Sequence, residues 1–115
     1  MPNVSTTALN VPEFCKDGEC LDEVMLHELP KQLAALDPDK RAKGTVVVMH
    51  QMGSHGPAYY KRSPKALKQF LPECSSHALQ NCPPEQIVNA YDNSILYADH
   101  FIAKTVHWLQ AQPRP

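Results

Sequence analysis

Hydrophobic and polar positions change rhythm several times along the chain. Leu21, Val24, Met25, Leu29, Leu33 and Leu36 fall at helical spacing, which predicts a helix over 21–36. Pro30 lies inside that run, so it either kinks the helix or opens a second one at its first-turn position. Asp37-Pro38-Asp39-Lys40 reads as a loop. Thr45-Val46-Val47-Val48-Met49 is short, β-branched and continuously apolar, which predicts a central parallel strand covered on both faces. Residues 50–82 are rich in Gly, Ser, Pro and aromatics and read as a long connection, with a short helix over Pro64–Phe70. Residues 84–110 then predict a long helix. Ile87, Tyr91, Ile95, Ala98, Ile102, Val106 and Leu109 recur at intervals of four, four, three, four, four and three, one apolar stripe about seven turns long. Pro84 and Glu85 suit its first turn, Lys104 and His107 its last, and Pro113 and Pro115 stop it.

A strand near 45–49, a loop and a helix near 84–110 are half of a βαβ unit, so the fold class is α/β. One strand cannot satisfy its own backbone groups. The strand that right-handed crossover would return beside Val46–Val48 is not evident in the sequence. The expectation is therefore that residues 1–115 form part of a larger domain, a fragment that does not unfold cooperatively on its own.

Composition narrows the function classes. Acidic and basic residues nearly balance, 12 against 11, for a net charge of −1, and no basic stripe tracks a phosphate backbone. Nucleic acid is therefore not an expected partner. No run approaches the roughly 18 apolar residues of a transmembrane segment. The first ten residues are polar, without the basic and apolar regions of an export signal. The cysteines point the other way. Cys15 with Cys20, and Cys74 with Cys82, form two close pairs, which suggests short-loop disulfides and hence an oxidising compartment. A structural zinc site is the alternative. Cys15-x4-Cys20 suits it, but the longer Cys74-x7-Cys82 spacing does not.

The candidate chemistry follows the apolar strand, in His50-Gln51-Met52-Gly53-Ser54-His55-Gly56-Pro57. In open α/β sheets ligands bind beyond the carboxyl ends of strands. Gly53 and Gly56 allow sharp turning around His55, whose imidazole can ligate a metal or donate to a phosphate oxygen. His50 reads instead as a partly buried histidine satisfied by backbone, and His27, His77, His100 and His107 as surface or loop residues. Ser54 lacks the elbow motif and ordered partners of a nucleophile. Tyr59, Tyr60, Lys61 and Arg62 form an aromatic and basic cluster that could meet an anionic lipid or phosphate, or be a solvated loop face.

The run from Val47 through Met52-Gly53-Ser54-His55-Gly56-Pro57-Ala58-Tyr59-Tyr60-Lys61-Arg62 closely resembles the lipid A phosphoethanolamine transferases, including the mobile colistin-resistance enzymes. Phe70, Pro72, Cys74, Cys82, the segment from Asn89 to Leu96, Asp99, and Leu21-Asp22-Glu23 after Cys20 extend the resemblance over about Asn10 to Gln110. It implies an α/β/α fold of the alkaline-phosphatase and sulfatase kind, on the periplasmic face of the inner membrane. It implies a zinc-bound threonine that takes phosphoethanolamine from phosphatidylethanolamine and passes it to a lipid A phosphate. In this chain it implies a substrate contact, or a second-zinc contact, for His55, and disulfides for Cys15–Cys20 and Cys74–Cys82.

The departures are large. Thr6 and Thr7 do not sit in the nucleophile motif, and the acidic and Asp-His zinc ligands of the family have no counterpart here. The expectation is thus of a transferase by family whose present segment alone is inactive. The rival readings are a non-catalytic remnant or disulfide-stapled binding module, and part of a sulfatase-like transferase acting on core sugars.

Overall fold

The structure is a computed structural model that describes residues 11–113; the first ten residues, Thr6 and Thr7 among them, and the last two lie outside the described residues. One compact unit runs to Gln51 and takes in the residues from Ala111 on; the other is Met52–Gln110.

The first unit opens with a two-stranded antiparallel hairpin, β1 (Cys15–Lys16) and β2 (Glu19–Cys20), paired Cys15 to Cys20 and Lys16 to Glu19. Asp17 and Gly18 turn it with φ of 54° and 79°. Two successive positive φ values are what a two-residue hairpin of matching twist needs, and Asp-Gly supplies them at least steric cost. A disulfide joins Cys15 to Cys20. Phe14, just before the hairpin, sets its ring edge-on to His27, with centroids 5.6 Å apart.

Helix α1 spans Glu23–Ala34 and buries Val24 and Leu29. It runs on through Pro30, so no second helix opens there. The proline removes the one N–H that would reach the Leu26 carbonyl, and the helix continues around that gap. The stretch read as a loop at 37–40 is instead the start of a short helix, α2, Pro38–Ala42. Asp37 is its N-cap, with its carboxylate accepting the Asp39 N–H at 3.0 Å, and Pro38 takes the first helical position.

The expected strand at 45–49 is not formed. Residues 44–50 carry no regular structure, and Val46 and Val48 are 83% and 75% exposed. A strand exists only when a neighbour completes its ladder, and among the described residues the only ladder is the hairpin.

The second unit is built on α3, Pro84–Gln110, whose bounds match the expected helix. Its buried face is not the expected one. Ala90, Asn93, Ser94, Tyr97 and Phe101 are buried, whereas Tyr91, Ile95, Ile102, Val106 and Leu109 are exposed. The periodicity located an apolar stripe, but the face that packs within this unit is the neighbouring one, chosen by polar groups that reach the preceding loop. That loop contains 3₁₀ turns at Tyr59–Arg62, Lys65–Leu67 and Leu79–Asn81, the second standing where a short helix over 64–70 was expected. A second disulfide joins Cys74 to Cys82 just ahead of α3.

Candidate functional site: the His55 loop and its clamp

Residues 52–74 have little regular structure, yet their backbone groups find side-chain partners on α3. Asn93, fully buried, uses all four of its hydrogen-bonding positions. Its Oδ1 accepts the N–H groups of Gln69 and Phe70, each at 3.0 Å, and its Nδ2 donates to the Phe70 carbonyl at 2.9 Å and to Glu73 Oε2 at 3.2 Å. Asn89, one turn earlier, donates to the Pro72 carbonyl at 2.8 Å. The Cys74 N–H reaches the Gln86 carbonyl at 2.9 Å. Three residues at helical intervals therefore hold one irregular segment against one helix face.

Lys68 extends the clamp. Its ammonium lies 2.8 Å from Glu73 Oε1, 2.8 Å from Ser63 Oγ and 2.9 Å from the Tyr60 carbonyl. All three of its protons are used, and only 11% of the lysine side chain and 9% of the glutamate side chain stay exposed. A nearly buried ion pair holds only when its remaining groups are satisfied. Here Asn93 and Ser63 do that, so the charges stiffen the loop.

Within this frame sits His55. Its N–H closes a turn onto the Met52 carbonyl at 3.1 Å, with Gly53 at φ 55° inside the turn. Its carbonyl accepts Arg62 Nε at 2.9 Å. On one side, Ser54 Oγ lies 2.7 Å from Ser94 Oγ, which also bonds the Tyr91 carbonyl. A carbonyl can only accept, so the single Ser94 proton goes there and the Ser54 proton goes to Ser94. On the other side, a methyl group at Gly56 would stand 2.6 Å from the Tyr59 ring, which packs edge-on against Tyr91 at 5.6 Å. A larger residue at position 56 would have to displace that ring.

The imidazole itself is exposed and makes no hydrogen bond among the described residues. His55 thus carries a free side chain on a held backbone. Of the remaining histidines, His27 meets Phe14 and His100 stacks on Tyr97 at 6.2 Å, while His50, expected to be partly buried, is exposed, as are His77 and His107; His55 is set apart from these three by its backbone, held by the turn and by Arg62. In the aromatic and basic cluster, Arg62 turns back to the His55 carbonyl, while Lys61 lies 6.0 Å from the Tyr60 ring centroid. No three His, Cys, Asp or Glu side chains converge among the described residues. Zinc needs at least three protein ligands, so His55 alone does not make a zinc site. Cysteine-bound zinc does not arise either, because all four thiols are in disulfides.

Reading from sequence singled out His55 and the Tyr59–Arg62 cluster but missed Asn89, Asn93, Lys68 and Glu73. A signal was present. Two asparagines four apart in the middle of a long helix oppose local propensity, and such a conflict marks a side chain that bonds backbone elsewhere.

The model of the sulfatase family matches residues 1–115. The chain belongs to the sulfatase family. This sulfatase-family chain is 42% identical over 111 residues to phosphoethanolamine transferase EptA of Salmonella typhimurium, covering 96% of the chain and 19% of that relative. It is 41% identical over 93 residues to phosphatidylethanolamine transferase Mcr-1 of Escherichia coli, covering 81% of the chain and 16% of that relative. It superposes on the crystal structure of the soluble domain of lipooligosaccharide phosphoethanolamine transferase A from Neisseria meningitidis with a TM-score of 0.83 at 40% identity. That superposition covers 96% of the chain and 32% of the domain. The chain thus spans less than a fifth of the length of the relatives it matches. The α/β fold class stands on this similarity, while the strand at 45–49 does not form within the chain itself.

Proposed function

We propose that this chain is part of a phosphoethanolamine transferase that moves the group from phosphatidylethanolamine to a lipid A phosphate, and that His55 meets the transferred group. The observation that carries the proposal is the free imidazole of His55 on a backbone fixed from both sides. Relatives named for this transfer, at 42% and 41% identity, supply the reaction class. An imidazole N–H donates naturally to a phosphoryl oxygen, and such a donor aids transfer when it is already in place as charge develops. The two disulfides suit an oxidising compartment, which favours the periplasmic face of the inner membrane.

The segment by itself does not complete the transfer. The hydroxyl next to His55, on Ser54, gives its proton to Ser94, so it is not a nucleophile awaiting a base. Zinc, which the family resemblance implies, would need ligands outside the described residues.

A splice tests the reading. Residues 11–113 would replace the matched segment of the Salmonella typhimurium relative, and lipid A from cells expressing the chimaera would be weighed by mass spectrometry. The expected result is phosphoethanolamine-bearing lipid A from the chimaera and none from the 115-residue chain alone. His55→Ala in the chimaera should lower transfer about a hundredfold or more, the usual loss for one preorganised donor. A folded, membrane-located chimaera that leaves lipid A unmodified overturns the proposal.

A further inference from the structure

We propose that Arg62 is a positioning residue for His55, with Ser94 as a second anchor, and that together they set where the imidazole meets a phosphoryl group. This rests on the reading that His55 binds that group. The two peptide planes flanking His55 determine the direction of its Cα–Cβ bond. The first is fixed by the His55 N–H on the Met52 carbonyl at 3.1 Å, a bond within the turn itself. The second is fixed from outside the turn, by Arg62 Nε on the His55 carbonyl at 2.9 Å. With both planes held, only the two side-chain torsions of His55 remain free. Ser94, fully buried on α3, holds the preceding residue through Ser54 at 2.7 Å and so ties the turn to the helix that carries Asn89 and Asn93.

Arg62 suits the role because its guanidinium is always charged and its donors lie in one plane. A charged donor on a carbonyl is stronger than a neutral one. The side chain returns across seven residues to reach His55, and the Tyr59–Arg62 turn that carries it is held at its Tyr60 carbonyl by Lys68. Displacement of a reacting group by a fraction of an ångström weakens recognition severely, so a residue that touches no ligand can still govern affinity.

The test uses the full 115-residue chain, oxidised and isotope-labelled, in solution. The Arg62 Nε–H proton is observed first, and it should exchange slowly. A proton that exchanges as in a free arginine overturns the proposal. O-phosphoethanolamine is then titrated while the His55 ring resonances are followed. Arg62→Ala should weaken binding roughly tenfold, with Arg62→Lys recovering part of the loss and Ser94→Ala giving a smaller loss. In a His55→Ala background, Arg62→Ala should add nothing. An equal added loss there shows that Arg62 contacts the ligand directly, and overturns the positioning role. If His55→Ala itself leaves binding unchanged, the underlying reading of His55 fails. If His55→Ala weakens binding but Arg62→Ala does not, only the positioning role fails.

Discussion

Two neighbouring stretches of this chain behave opposite to their appearance. Residues 45–49 have the composition of a buried strand, yet Val46 and Val48 are exposed and no ladder forms. Residues 52–74 have the composition of a loose connection, yet their backbone is pinned at Gln69, Phe70, Pro72 and Cys74 to α3. The difference lies in where each stretch finds its partners. A strand takes its hydrogen bonds from another strand, which must be supplied. The irregular segment takes its bonds from a helix in the same compact unit, through the Asn89 and Asn93 side chains and the Gln86 carbonyl. Order follows satisfied backbone groups, and regular-looking sequence is no substitute for them.

The sharpest way to break that contrast is to remove Asn93. Asn93→Ala strands the Gln69 and Phe70 amides without acceptors and removes a donor from Glu73. Losing several bonds at a buried site should cost about 3 kcal/mol. Amide exchange at Gln69 and Phe70 measures it directly, and their exchange should quicken about a hundredfold. Unchanged exchange means the clamp does not order the loop. Opening the Cys74–Cys82 bridge, as Cys74→Ser with Cys82→Ser, comes next. Closing so short a loop contributes about 2–3 kcal/mol in the chain-entropy model, and the loss should appear as faster exchange near the start of α3.

Gly56→Ala has a smaller, local effect. The added methyl drives the Tyr59 ring off Tyr91, at a cost of about 1–2 kcal/mol for an overpacked contact. Loss of the near-ultraviolet circular dichroism of the tyrosine pair reads it out. An unaltered signal would mean that the ring yields freely, and that the glycine is not needed for this approach.

These cases also explain how far sequence reading reached. The extent of α3 was legible because its periodicity, Pro84 at its start and Pro113 after its end are local signals. The buried face of α3 was not, because Tyr91, Ile95 and Ile102 carry the stronger apolar pattern while Asn93 and Ser94 make the contacts. The α2 helix was misread as a loop because Asp37 and Pro38 suit turns and helix starts equally well. His55 stood out from its glycines and from a family resemblance. The group that holds its carbonyl, Arg62, stood in a cluster read for its charge, and that charge turns back along the chain to a backbone oxygen.

The smallest expected effect is the one that tests the other half of the comparison. Val46→Asp and Val48→Asp place a carboxylate in a segment whose composition says core. If the segment were buried, an unpaired charge there would cost several kcal/mol. At 83% and 75% exposure the carboxylates stay in water, so each change should shift stability by less than about 0.5 kcal/mol. Amide exchange in α1, the longer helix of the same compact unit, is the measurement, and it should not move. Slowed folding or faster exchange there would mean that the valines are covered in solution. The same two substitutions in the chimaera should give the contrary result. There the rest of the domain can lay a strand beside 45–49, and the carboxylates should then abolish folding. A segment that tolerates charge alone and rejects it in the larger domain would show that its strand character is held in reserve, waiting on a neighbour for its hydrogen bonds.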